Sequence, residues 1–295
     1  MPLLGQGSTS FMQEKELEDI ERTLLLEAIF LRYGYDFRNY SQASISRRVR
    51  LFLEKNDVET IGELLPRIIR EPELFQGLLF DFSVTVTEMF RDPPFYRALR
   101  REVVPLLKTY PFIKVWSAGC ATGEEVYSLA ILLKEEGLLH KSTIFATDIN
   151  DSSLAKAKRG IYPLKQVREY IENFQETGSM HSFSRYYHAN EEHIVMEREL
   201  RGRITFANHN LVADQVFGEM HLILCRNVMI YFDKKLQNMV LDLFDQSLIR
   251  GGFLCLGGRE SLRFSNLNDR YEELDSANRI YRKHFAHNHQ LQARR

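Results

Sequence analysis

The chain changes its periodicity near residue 93, and this change limits its fold more than any other feature. C-terminal to it, short apolar runs alternate with stretches of helical spacing. Strands are predicted at residues 113–117, 143–147, 204–207, 222–225, 253–256 and 279–285, and helices at 124–136, 152–159 and 234–249. Gly137, Gly160 and the Arg250-Gly251-Gly252 run stand where these helices should stop, the usual place for glycine. The alternation predicts an α/β fold, a mostly parallel sheet with helices on both faces. Asp92 before Pro93 reads as the N-cap and first helical residue that open the region.

Before residue 93 the spacing is helical. Leu17, Ile20, Leu24, Ala28 and Leu31 form a stripe within residues 14–33. Further helices fit residues 43–55, a stretch opening at Thr60, and 72–80, with Thr60 and Glu63 forming a capping-box pattern. Residues 162–202 break the later alternation. They are polar, Tyr-rich and longer than an ordinary connection. A strand at 193–196, and Ile204 following a turn at Arg201-Gly202, predict a small antiparallel β-subdomain inserted at about 162–203. The expected organisation is a tail, helical domain and linker over 1–92, the α/β domain over 93–286, and a tail over 287–295.

With 295 residues and 44% hydrophobic content the chain can bury the cores of about two domains. The net charge of −1 lacks the basic excess of a general nucleic-acid binder, so no nucleic-acid partner is expected. No run of about 18 apolar residues is present, and residues 1–10 lack a basic leader pattern. No membrane insertion and a cytoplasmic location are expected. Cys120, Cys225 and Cys255 are an odd set that suits a reducing compartment. Cys225 and Cys255 lie in apolar runs and read as buried packing. No Cys or His spacing suggests a metal site.

In open α/β sheets, ligands bind beyond the carboxyl ends of the strands. The first strand runs into Ala118-Gly119-Cys120-Ala121-Thr122-Gly123-Glu124-Glu125. Gly119 and Gly123 permit a tight turn and close approach to a ligand. The pattern is neither a dinucleotide fingerprint nor a phosphate loop. Glu124 and Glu125 either favour a helix N-terminus or face a cationic ligand end, such as the amino or sulfonium group of S-adenosylmethionine (SAM). Asp148 ends the second strand, where an acidic residue accepts ribose hydroxyls; it could also cap the next helix, although Asn150 and Asp151 are better placed for that. Asn210 follows the third strand and either holds an adenine amino group, with Leu211 over the ring, or simply forms a turn. The fourth strand leads into Cys225-Arg226-Asn227-Val228-Met229-Ile230-Tyr231-Phe232. The Asn-Pro-Pro-Tyr type of signature used by amino-methylating nucleic-acid enzymes is absent from it.

Together these runs resemble the CheR family of chemotaxis receptor methyltransferases over roughly residues 15–285. Ser117 to Ser128 matches the family's glycine-loop run, with Val126 in place of Pro, and Cys225 to Phe232 matches its Cys-Arg-Asn-Val run. Thr85-Val86-Thr87-Glu88-Met89-Phe90-Arg91 matches a third run, with Thr85 for the usual Asn and Met89 for the usual Phe. Gly258-Arg259 stands where His-Ser is common, before Glu260-Ser261-Leu262. The resemblance implies SAM as cofactor and S-adenosylhomocysteine (SAH) as product. It also implies a SAM pocket lined by Thr85, Thr87, Arg91, Gly119, Glu124 or Glu125, Asp148, Asn210, Leu211, Arg226 and Asn227.

The implied acceptor is a glutamate carboxylate in the helical cytoplasmic region of a chemotaxis receptor. Its pKa of about 4.3 leaves it ionised at neutral pH, so no general base is needed. Arg91 is the expected residue to orient that carboxylate, the alternative being an ion pair that closes the interdomain linker; Tyr231 is expected to border the methyl path. Arg47, Arg48 and Arg50 form a basic helix face that either attracts the acidic receptor or is simply solvated. Some family members bind a receptor C-terminal pentapeptide through a Gly-bearing loop of the β-subdomain. The corresponding residues 188–193 have no Gly and carry Glu191 and Glu192, so no pentapeptide binding is expected. The competing readings are a SAM- or SAH-binding regulatory scaffold without turnover and a methyltransferase of another substrate.

Overall fold

A computed structural model describes residues 14–83, 87–216, 218–263 and 265–285. Two compact units divide after Phe82, ahead of the expected boundary at residue 92. The division falls there because Met89 and Phe90 are buried in the core of the second unit and Phe90 N donates to Ser128 Oγ at 2.8 Å.

The first unit is helical: α1 (Glu14–Tyr33), α2 (Gln42–Lys55), α3 (Ile61–Arg70) and α4 (Pro72–Phe82). Leu25, Ile29, Phe52, Leu64, Ile68, Phe75 and Leu78 meet in its core. Each such side chain contributes about 1.5–3 kcal/mol by leaving water. The proposed α1 stripe is only partly right. Leu17, Ile20, Leu24 and Leu31 are exposed, and Leu25, Leu26 and Ile29 carry the burial. Thr60 caps α3 by accepting from Glu63 N at 3.2 Å, and Glu63 accepts in return from Glu59 N rather than from Thr60.

The second unit opens with α5 (Pro93–Ala98), passes through a π turn at Leu99–Val103, and continues as α6 (Val104–Leu107). Next come β1 (Ile113–Ala118), α7 (Glu124–Glu135), β2 (Ser142–Asp148) and α8 (Asp151–Arg159). The insertion holds β3 (Ile161–Pro163), α9 (Val167–Glu176), β4 (Tyr187–Ala189) and β5 (His193–Met196), then α10 (Arg198–Arg201). The chain ends with β6 (Ile204–Asn208), β7 (Met220–Cys225), α11 (Lys234–Ser247), β8 (Leu248–Leu256), β9 (Tyr271–Asp275) and β10 (Ile280–Lys283).

The main sheet has the order β6-β2-β1-β7-β8-β10-β9. The pairings from β6 to β8 are parallel, and β10 is antiparallel to both β8 and β9. The order reverses between β1 and β7, so their carboxyl ends form the switch-point crevice where such sheets hold ligands. The inserted strands form a separate antiparallel sheet, β3-β5-β4. No helix among the described residues is long and apolar enough to cross a membrane. The three cysteines are free and buried.

Candidate functional site

Leaving β1, the backbone turns through Gly119 at φ +74° and Ala121 at φ +46°. The N–H groups of Gly119 and Cys120 both donate to Thr147 O, at 2.8 and 2.9 Å, which ties the turn to the end of β2. A Cβ on Gly119 would lie 2.5 Å from Val228 Cγ2. The glycine is therefore required by its left-handed backbone and by the close approach of the loop after β7.

Between these loops lies a cleft lined by Thr87, Arg91, Gly119, Cys120, Ala121, Glu125, Arg226, Asn227, Val228 and Tyr231. The structure thus brings together Thr87, Arg91, Gly119, Glu125, Arg226, Asn227 and Tyr231 from the expected set. Of the two candidate glutamates, Glu125 lines the cleft. Glu124 points elsewhere: it is buried, and its Oε2 accepts from Thr122 Oγ1 at 2.6 Å. Adjacent helical positions differ by about 100°, so one carboxylate faces the crevice and the other the protein. Thr85 lies outside the described residues.

Arg226 joins the walls. Its guanidinium is buried and contacts Asp92 Oδ2 at 2.7 Å and Glu125 Oε2 at 3.1 Å, with Phe95 beneath it at 4.0 Å. It serves as an internal clamp. Asp92 accordingly makes no N-cap hydrogen bond; its backbone is left-handed and its side chain is given to Arg226. Burial raises the Glu125 carboxyl above its usual range, and Arg226 opposes that rise.

Asp148 is buried at the end of β2, where its oxygens accept from Ala121 N at 2.8 Å and Asn150 N at 2.9 Å. Asn150, as expected, is the cap of α8, accepting from Ser153 N at 3.1 Å. Asn210 Oδ1 accepts from Val212 N at 2.9 Å, closing a local turn. Neither Asp148, Asn210 nor Leu211 lines the cleft in this conformation.

One site residue escaped the sequence reading. Glu260 is 5% exposed, and its carboxylate accepts from four backbone N–H groups: Asn227 at 3.1 Å, Val228 at 3.0 Å, Met229 at 2.7 Å and Gly257 at 2.6 Å. It fixes the loop after β7, including Asn227 at φ +62°. An acidic residue four positions past the apolar end of β8, Phe253–Leu256, was the available signal. Glu260→Gln offers one acceptor oxygen in place of two and is expected to lower the stability of the full chain by about 2 kcal/mol. Urea denaturation measures this; an unchanged midpoint would contradict the assigned role.

Glu124 carries a pH signature. Burial raises its pKa to about 7, against the lowering by Thr122. Between its ordinary 4.5 and about 7 the folded chain holds a proton that the unfolded chain has lost. This contribution therefore favours folding below pH 4.5 and is lost as pH rises to about 7. Glu124→Gln should gain stability over wild type as pH rises from about 5 to about 8, read as the difference in denaturation midpoints. A pH-independent difference would contradict this.

In the helical unit, Arg47 and Arg50 are exposed, and Arg50 meets Glu18 at 3.2 Å. Arg48 does not share their face. It is 6% exposed and donates to the carbonyl of Phe82, because its position on α2 faces the helical core. It is removed from the expected receptor surface.

A parallel sheet whose first strand turns through a left-handed glycine into a helix, with an aspartate ending the second strand, defines a nucleoside-binding α/β unit. Residues 20–83 match the family described as CheR methyltransferase, all-alpha domain, and residues 85–280 match CheR methyltransferase, SAM binding domain. The chain belongs to the CheR family of SAM-dependent methyltransferases. It is 52% identical to "Putative methyltransferase Cher3" of Pseudomonas putida, over 92% of this chain and 100% of that protein. The chemotaxis protein methyltransferase of Listeria monocytogenes is 30% identical over 78% of this chain and 85% of its own length. That of Salmonella typhimurium is 29% identical over 90% and 92%.

Proposed function

We propose that the chain transfers the methyl group of SAM to glutamate side chains in the helical cytoplasmic region of chemotaxis receptors. The observation that carries the reading is the placing of Arg91 and Tyr231 on one cleft with Gly119, Glu125 and Asn227. Similarity to chemotaxis protein methyltransferases supports the substrate.

The residues present suit SAM. Gly119 leaves room for close approach, and Glu125 supplies negative charge for a cationic end. Asp148 ends β2, where an acidic residue can accept ribose hydroxyls, and the segment at Asn210 and Leu211 follows β6. The enclosed space is about 50 Å³ in this conformation, below the roughly 300 Å³ of ordinary ligand clefts. When bound, the sulfonium supplies an activated methyl group. A receptor carboxylate oxygen would take that methyl group as the sulfur–methyl bond breaks, with a methyl ester and SAH as products.

The acceptor is ionised at neutral pH, so the protein's task is orientation and exclusion of water. Arg91 orients the carboxylate by a charge-assisted contact, and Tyr231 borders its path. Arg47 and Arg50 attract the acidic receptor. The β4–β5 turn is closed by Asn190 Oδ1, which accepts from Glu192 N and His193 N; with two glutamates beside it, no pentapeptide carboxylate is expected to bind there.

Arg91→Ala is expected to lower kcat/KM for receptor methylation by about 100-fold. Labelled SAM with receptor fragments measures this. Equal rates in both proteins would contradict the role of Arg91, and transfer only to RNA or a metabolite would contradict the reading as a whole.

A further inference from the structure

The loop from Asn227 to Tyr231 has a second cleft on it, of about 400 Å³. Val228 and Tyr231 line the first cleft, whereas Met229 and Ile230 line the second. Its other walls come from the start of α11 and the segment after β8. Four cations line it: Lys234, Arg259, Arg263 and Arg279. Against them stand two carboxylates. Glu260 is already engaged by four backbone N–H groups, and Glu273 lies 3.2 Å from Arg263 and 3.7 Å from Arg279. Among the described residues no ion pair engages Lys234 or Arg259, and both are exposed.

We propose that this cleft binds an acidic stretch of the protein substrate next to the glutamate being methylated. The inference rests on the receptor reading above. A chain that places one carboxylate at Arg91 and Tyr231 has its neighbouring residues beside Met229 and Ile230, because one short loop borders both clefts. The unpaired cations match the acidic neighbours, while the partly exposed Ile230 suits an aliphatic stem. A small phosphate is less well served: the N-terminus of α11 is capped by Asp233, which accepts from Leu236 N at 2.8 Å, so the helix end that would hold such an anion carries a carboxylate.

The test is the full-length double variant Lys234→Glu with Arg259→Glu, assayed with labelled SAM and receptor cytoplasmic fragments. Glutamate at the first position of α11 suits a helix N-terminus, and Arg259 is exposed, so the fold should survive; unchanged SAM affinity by calorimetry verifies this. KM for the receptor should rise at least about tenfold, with kcat unchanged. Arg259→Lys, which keeps the charge, should retain the wild-type KM; a rise there as large as in the double variant would overturn the electrostatic assignment. If the wild type methylates receptors and the double variant has the same KM, this inference falls and the receptor reading stands. If the wild type methylates no receptor, both fall. Inhibition by inorganic phosphate with an unchanged receptor KM would mark a small-anion site and also overturn the proposal.

Discussion

Arg226→Met is expected to destabilise the chain by about 3 kcal/mol and to abolish measurable SAM binding. The side chain of Arg226 is 3% exposed, and its two partners differ: Glu125 is 17% exposed and Asp92 55%. Without the guanidinium, Asp92 turns to water at little cost, while Glu125 keeps a charge it cannot solvate. Burial already raises the Glu125 carboxyl, and Arg226 is the first group that draws it back. In the variant its pKa therefore rises further, and the folded chain retains the proton over a wider range than the unfolded chain. Stability then falls as pH rises, so the loss should be larger at pH 8 than at pH 5. Glu125→Gln in the Arg226→Met background should restore part of the lost stability, because it removes the stranded charge. Urea denaturation of the four proteins in this cycle measures the coupling. Strict additivity would contradict the clamp.

Gly119→Ala is expected to reduce SAM affinity more than tenfold and to destabilise the second unit by about 2–4 kcal/mol. Two costs combine. At φ +74° a Cβ strains the backbone, and it would meet Val228 Cγ2 at 2.5 Å. The costs can be separated: Val228→Ala should relieve the steric part in the double variant and leave the conformational part. Calorimetric titration with SAM and thermal denaturation report on the two. Wild-type affinity in Gly119→Ala would show that the turn does not need its glycine.

The sheet was legible because its strands are short apolar runs separated by helices and glycine stops. Where this failed, local pattern and tertiary role diverged. Leu248 and Ile249 extend the apolar stripe of α11, yet β8 begins at Leu248. Gly251, at φ +76°, resembles a helix stop but lies within the strand, whose pairing with β7 shifts register between Met220 and Leu222. The helix α9 lies within a polar, Tyr-rich segment that masks its buried stripe of Val167, Tyr170 and Phe174. The edge strand β9 carries Glu272 and Glu273 and shows little apolar pattern, as edges often do.

The site was legible as a set of strand ends, less so as a set of contacts. Gly119 and Glu125 follow from the turn after β1. The joining of Asp92, Glu125 and Arg226 spans more than one hundred residues of sequence, and no spacing rule announces it. Glu260 is a similar case: three of its four partners are backbone groups of the loop after β7, which carry no side-chain signature. Arg48 shows the converse, since a run of arginines does not say which of them faces the core.

The most direct measurement incubates the full chain with methyl-labelled SAM and receptor cytoplasmic fragments, maps the labelled residues in one portion of the product, and treats the other with base. The account predicts base-labile methyl esters on glutamates of the receptor's helical region, which release volatile labelled methanol and are reduced about 100-fold by Arg91→Ala. SAM binding with no ester label on any receptor fragment would contradict it.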